Sequence, residues 1–263
     1  MITNLLEYCK NYFIFNRKKL SKLGIYQFVF WFYSKYYVLI NKYYRLGDKL
    51  VYCPACNYCG IKFINGEICP NCWSSPRYRL LSLYIHNCLN PEKDSLILDV
   101  APNIASRKIL DNSTIQYMST DLDSPVSDTH MDLTSMGYKT NSFDIIICYH
   151  VLEHIKNDSD AINEIYRILK PNGIAILQVP FGGKNGHTFE LDEYDHTDLK
   201  KNMELYGYPT HVRCYGETDY QNKLKSAGFY VKCDEYVNFF SKEEISYYGL
   251  DENEILYICK KKI

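Results

Sequence analysis

From residue 95 onward the chain alternates between two hydrophobic rhythms. Near-continuous apolar runs stand at 96–100 (LILDV), 115–121 (IQYMSTD), 143–150 (FDIIICYH) and 174–180 (IAILQVP). Their length and their β-branched content predict strands buried on both faces. Between them lie stretches with helical spacing, around 104–111 and over 160–170 (DAINEIYRILK), the second stopped at Pro171-Asn172-Gly173. A helix over 219–229, ended by Gly228, and strands over 230–237 and 254–261 complete the series. Strands alternating with helices predict an α/β fold whose parallel sheet is covered on both sides.

Upstream the rhythm changes. Residues 76–89 (PRYRLLSLYIHNCL) have helical spacing and end near Asn90-Pro91, a linking helix within 76–94. Residues 51–75 hold Cys53-x-x-Cys56 and Cys69-x-x-Cys72 twelve residues apart, each pair with proline after its first cysteine and Asn-Gly in the gap. Two such knuckles can place four thiolates around a structural Zn²⁺, as in a zinc ribbon, and a closed four-cysteine site leaves no position for chemistry. Cys59 is a bystander or an alternate ligand. The chain has 11 cysteines, an odd number, and shows no secretory signal pattern, so reduced thiols in a cytoplasmic compartment are expected.

Charge adds one feature. The net charge is only −1, but residues 1–50 carry nine Lys/Arg against Glu7 and Asp48 together with fourteen aromatics, leaving −8 for the remainder. The longest uncharged run there, residues 23–34, is too short to span a bilayer. Basic and aromatic residues together suit a helical segment at the inner face of the plasma membrane; packing against the rest of the protein is the alternative.

The candidate chemistry lies at the strand ends, where ligands sit in open α/β sheets. Asp99 ends the first strand, Asp121 (beside Leu122) the second, Asp132 (beside Leu133) a short third and His150 the fourth. Asp121 follows Asp99 by 22 residues, the spacing of a carboxylate that accepts hydrogen bonds from ribose hydroxyls. The turn after Asp99 is Ala101-Pro102-Asn103, without glycine, and no phosphate-cradling loop or P-loop lysine follows. A nucleoside cofactor without phosphates therefore fits better than NAD or ATP. Any one of these aspartates alone could be a helix cap or turn residue; it is the ordered set that points to a site.

The runs LILDVAP, YMSTDLD, HMDLTSM, SFDIIICYHVLEHI and RILKPNGIAILQVP, in that order, resemble the class I S-adenosylmethionine-dependent methyltransferases. The nearest resemblance is to the bacterial group that includes quinone-biosynthesis enzymes, and within it to a subgroup with an N-terminal cysteine module. The resemblance implies a Rossmann-like, doubly wound, mostly parallel seven-stranded sheet over 95–263, with S-adenosylmethionine as cofactor. It implies that Asp99 faces the methionine end, Asp121 the ribose, and Asp132 with Leu133 the adenine edge, while His150 borders the methyl group and the acceptor. Ala101, Pro102 and Asn103 depart from the family's glycines and limit close backbone approach, though Asn103 can cap the following helix.

Methyl transfer to a hydroxyl needs alignment and a proton acceptor. His150 and His211 are the candidate bases. His211 and Arg213 (YPTHVRCYG) follow a long insertion, 181–218, and either meet the acceptor, with Arg213 holding an anionic group, or only organise the insertion. His154 is expected to be structural; His187, Asp192 and His196 are unranked acceptor contacts. The expected activity is O-methylation of a small-molecule, sugar or lipid-linked acceptor. An RNA methyltransferase reading RNA through the zinc module is disfavoured by the acidic body, and a fold retained only for binding is the third reading.

Overall fold

The computed structural model describes residues 50–110, 115–183, 185–190 and 199–262; the basic aromatic segment 1–49, Asp192 and His196 lie outside the described residues. The apolar runs become strands almost where they are expected: β3 at Leu96–Val100, β4 at Gln116–Asp121, the short β5 at Thr129–His130, and β6 at Phe143–Tyr149. They join β7 (Leu169–Gln178), β10 (Phe229–Asp234) and β11 (Leu256–Lys261) in one seven-stranded sheet, ordered β10-β11-β7-β6-β3-β4-β5. All neighbouring pairs are parallel except those of β11, which runs against β7 and β10.

The period-2 alternation of each strand divides the core into two layers. Ile97, Ile145 and Ile176 face one side, with Ala105 and Ile109 of α2 (Ile104–Leu110) and with α1 (Pro76–Tyr84). Leu98, Ile146 and Leu177 face the other, against Ile162 and Ile165 of α3 (Asp158–Ile168) and Leu224 of α5 (Glu217–Ser226). Helices on both faces make the fold Rossmann-like and doubly wound. β3 leads to β4 on one side while β6 lies on its other side, so the strand order switches between β3 and β6. That switch point is where such sheets take ligands.

Two boundaries differ from the sequence expectation. The helix of 160–170 ends at Ile168, and β7 starts at Leu169, two residues before the Pro-Asn-Gly turn. The pairing there is irregular: Phe143 opposes Leu169 while Ile145 opposes Ile174. Lys261 holds this corner, its Nζ donating to the carbonyls of Tyr166 (2.7 Å) and Leu169 (2.8 Å). The linking helix is helical only to Tyr84 and continues as one wider π-turn over Ile85–Leu89.

The cysteine-rich segment forms a hairpin of β1 (Val51–Cys53) and β2 (Tyr58–Gly60) and packs on α6 (Lys242–Tyr248), where Tyr52 stacks on Tyr247 at 5.9 Å. Its apolar residues share one continuous core with the sheet, from Cys53 and Phe63 through Leu80 and Leu81 to Ile97 and Ile258. The 181–218 insertion contributes α4 (Leu199–Tyr206) and a two-stranded ladder, β8 (Phe189–Glu190) with β9 (Arg213–Cys214). Gly216 lets the chain cross closely: a Cβ there would stand 2.2 Å from the His187 carbonyl carbon. Among the described residues no helix is long and apolar enough to cross a membrane.

Candidate active site

The carboxyl ends of β3 and β4 form one half of the site. Asp99 is 2% exposed, and its Oδ2 accepts a hydrogen bond from the Tyr117 hydroxyl at 3.0 Å. Burial pushes its carboxyl up to about 6, against hydrogen bonds from Ser106 and Tyr117 that pull it down. In the turn that follows, Ala101 adopts φ 54°, the left-handed conformation in which glycine is at ease. Its N–H donates to the Thr120 carbonyl at 2.8 Å, locking the turn to β4. Asn103 caps α2 reciprocally: the Ser106 amide donates to Asn103 Oδ1 at 2.9 Å, and the Asn103 amide donates to Ser106 Oγ at 3.0 Å. The loop thus reaches the shape of a glycine turn with other residues.

Asp121, at the end of β4, spends one oxygen on its own turn. Oδ1 accepts from the amides of Asp123 (3.0 Å) and Ser124 (2.9 Å), while among the described residues no donor meets Oδ2. Leu122 beside it is 70% exposed. Asp132 closes a similar turn, and the Thr134 amide and hydroxyl hold its carboxyl below the usual carboxylate range. The Leu133 side chain, by contrast, is buried with Leu98, Val100 and Met136.

The end of β6 forms the other half. His150 has φ 57°, a second left-handed residue at the switch point, anchored by its N–H on the Gln178 carbonyl at 2.8 Å. The next residues make a 3₁₀ turn over Leu152–His154 that brings Glu153 back beneath it. Glu153 is 1% exposed; its Oε1 lies 3.2 Å from His150 Nδ1 and 3.8 Å from His211 Nε2. His154 packs edge-on to His211, ring centroids 4.8 Å apart, and its Nδ1 meets the Thr210 carbonyl at 3.1 Å. Burial lowers the His211 pKa from its ordinary value, with Glu153 opposing the shift. Histidines 61 positions apart in sequence therefore share one buried carboxylate.

Of the two roles open to Arg213, holding an anionic acceptor or organising the insertion, its contacts support the second. Its guanidinium is 1% exposed and committed: Nε and Nη2 donate to the two Glu190 oxygens at 2.9 and 2.8 Å, and Nη1 donates to the Leu152 carbonyl at 3.0 Å. Further bonds run to the carbonyls of Ile155 and Lys156. A cation so fully used ties the insertion to the loop after β6 and has no donor left to offer. His187 is exposed, 3.4 Å from Asp219, and does not join the cluster.

Residues 99–177 match the family model described as "Methyltransferase domain". This region is a methyltransferase domain. Over 48 residues the chain is 44% identical to an uncharacterised protein of Methanocaldococcus jannaschii, a match covering 18% of this chain and about a fifth (21%) of that relative's length. Among solved structures it is similar to a candidate methyltransferase of Bacillus halodurans C-125, with TM-score 0.49, 15% identity, and coverage of 70% of this chain and 99% of that one. It is also similar to the Burkholderia thailandensis 1,6-didemethyltoxoflavin-N1-methyltransferase, solved with 1,6-didemethyltoxoflavin and S-adenosylhomocysteine (TM-score 0.47, 14% identity, 71% of this chain and 78% of that one). The methyltransferase domain is of the class that uses S-adenosylmethionine. Among the described residues Asp121 Oδ2 has no donor, and Leu122 beside it is exposed at the same strand end.

The methyltransferase domain carries the cysteine cluster on its flank. The sulfurs of Cys53 and Cys72 stand 3.7 Å apart, as do those of Cys56 and Cys69, and all four lie within 4.8 Å of one another. Sulfurs at tetrahedral corners of a Zn–S distance of ~2.3 Å would be about 3.8 Å apart, whereas a disulfide needs ~2.05 Å. The donor set thus fits Zn²⁺, and Cys59 is exposed outside it. Arg79, which nothing in the helical spacing of 76–89 marks out, is fully buried against the Phe63 ring at 4.0 Å. Its Nε donates to the Tyr248 carbonyl at 2.7 Å, and its other nitrogens donate to the carbonyls of Ser74 and Gly249. A buried cation here offsets part of the negative charge that four thiolates around a divalent metal would carry. Glu153 was also missed: within VLEHI it reads as an ordinary turn residue, and its only sequence signal is its i+3 spacing from His150.

Proposed function

We propose that the enzyme O-methylates a small-molecule, sugar or lipid-linked acceptor, with a structural Zn²⁺ on Cys53, Cys56, Cys69 and Cys72. The observation that carries this reading is the placement of His150, Glu153 and His211 beside the switch point, next to the turn that follows Asp99. In this reading Asp121 accepts the ribose hydroxyls, Asp99 faces the methionine end, and Asp132 borders the adenine. Bound there, S-adenosylmethionine supplies a methyl group on a sulfonium sulfur. The protein's own task is to align a hydroxyl and accept its proton. Glu153 turns Nδ1 of His150 toward itself, which orients the other ring nitrogen, and His211 closes the opposite side. Residues 1–50, basic and aromatic, would bring the enzyme to an anionic membrane surface that carries a lipid-linked acceptor.

The test is a tritiated-methyl transfer screen over membrane lipid, saccharide and RNA fractions, alongside calorimetry with S-adenosylmethionine. Label is expected in the lipid or saccharide fraction, and His211→Ala is expected to lower turnover by about 100-fold or more. Label confined to RNA would replace this reading with the RNA one. Cofactor affinity weaker than about millimolar would make the fold a binding protein.

A further inference from the structure

Where α1 meets the end of β6, polar groups are buried that the fold itself does not use. Tyr149, the last residue of β6, is 4% exposed, and its hydroxyl has no hydrogen-bond partner among the described residues. Arg77, in the first turn of α1, has a buried Nε that is likewise unpartnered. Ser75 stands at the N-cap of that helix, yet its buried hydroxyl caps nothing. Tyr78 links the first two: the Arg77 guanidinium carbon lies 5.6 Å from the centre of its ring, which stands 5.6 Å from that of Tyr149. Each idle donor destabilises the empty fold, and an acceptor atom that met them would recover the loss.

We propose that Arg77 and Tyr149 form an anion subsite for the methyl acceptor, taking a carboxylate or phosphate on the same molecule that presents the hydroxyl. This rests on the hydroxyl-acceptor reading above and deepens it, because the acceptor becomes an acid or a phosphate ester. The free groups suit such an anion: a guanidinium, a phenol and a serine hydroxyl can all donate, at the positive end of a helix. The strand order places the subsite on the acceptor's side of the sheet. Tyr149 pairs with Gln178, the last residue of β7, whose Nε2 donates to the Ile255 carbonyl (2.7 Å) and Glu254 Oε1 (2.9 Å) in the turn before β11. The Arg77 charge acts on both Tyr149 and Glu254. Asp99 and Asp121 lie on β3 and β4, across β6, and at ~4.8 Å per strand β7 is about 10 Å from β3. His150 directly follows Tyr149, so an anion held here leaves the rest of a small acceptor beside that imidazole. Glu254 is a weak counter-ion for Arg77: it is bonded to Gln178, and burial raises its carboxyl above the ordinary value. Arg213 has every donor committed, whereas Arg77 keeps its Nε for a ligand.

The probes are inorganic phosphate and acetate, titrated calorimetrically into the full chain already saturated with S-adenosylhomocysteine. At least one of them is expected to bind with a Kd of about 1 mM or better. Arg77→Gln is expected to weaken that binding by ~30-fold and Tyr149→Phe by ~5-fold, with affinity for S-adenosylhomocysteine unchanged in both. Arg77→Lys, which keeps the charge and loses the planar fork, recovers only part of the loss. Tyr149→Phe removes a single oxygen and carries the test if Arg77→Gln melts early. Neither ion binding up to ~30 mM, or wild-type affinity in both variants, overturns the subsite. So does exclusion of the ions by S-adenosylhomocysteine together with weaker cofactor binding in Arg77→Gln, which would give these donors to the cofactor. In the tritiated-methyl screen, O-methylated products held by an anion exchanger uphold the subsite. Label only in neutral hydroxyl compounds sinks it and leaves the acceptor reading intact, whereas label on the nitrogen of an anionic acceptor upholds it and sinks that reading.

Discussion

Asp99 and Ala101 show how much one position at the end of β3 is asked to hold. The folded-state pKa of Asp99, raised to about 6, lies above the ordinary 3.8. Folding therefore favours the protonated carboxyl: that contribution is complete below about pH 4 and is lost as pH rises through 6. Asp99→Asn keeps an acceptor for Tyr117 and removes the charge. It should stabilise the cofactor-free protein by roughly 3 kcal/mol at pH 8 and by about half of that at pH 5, read from urea unfolding at both pH values. The same substitution should weaken S-adenosylmethionine binding, the cost expected when a site residue is strained for its ligand. Ala101 carries a smaller strain of another kind. At φ 54° its Cβ is disfavoured, so Ala101→Gly should raise stability by about 0.5–1 kcal/mol, net of the extra freedom glycine has when unfolded. An unchanged urea midpoint would show that the surrounding turn bears no strain.

At the scale of elements, one buried side chain ties the insertion that follows β7 to the loop after β6. Arg213 joins Glu190 of β8 to the carbonyls of Leu152, Ile155 and Lys156 after β6. Arg213→Ala removes a donor from the buried Leu152 carbonyl, from the half-buried Ile155 and the exposed Lys156 carbonyls, and from the Glu190 carboxylate. It should cost about 3 kcal/mol, a fall in melting temperature of roughly 6–12 °C. His211 travels with Arg213, so turnover should fall together with stability. Arg213→Lys, which lacks the planar fork, should recover only part of the loss, and full recovery would show that charge alone suffices. The element boundaries themselves were largely legible. LILDV and FDIIICY read as strands because burial on both faces forces unbroken apolar runs, and Asn103 could be read as a cap from its place before an apolar helix. The role of Arg213 was not legible, because an arginine near a histidine in an insertion looks the same whether it meets a ligand or five backbone and side-chain acceptors.

At the scale of the whole molecule, the cysteine module and the sheet behave as one packing unit, since a single apolar core runs from Cys53 and Phe63 to Ile258. Removing the metal with a chelator, or making Cys69→Ser, should lower the melting temperature of the entire chain by more than about 10 °C in one transition. A separate early transition in calorimetry would mean that the module melts alone; an unmoved melting temperature would remove the metal from the fold's support. By itself the sequence determined what is local or periodic: the alternation of strands and helices, the aspartates at strand ends, and the paired Cys-x-x-Cys knuckles, each written in spacings shorter than one element. Only the tertiary structure decided which distant side chains share an environment. It placed β11 between β7 and β10, buried Arg79 beneath the thiolates, and set Glu153 between His150 and His211. The physical reason is that burial and pairing belong to contacts across the fold, and a chain read in order carries no record of which contacts its insertions will close.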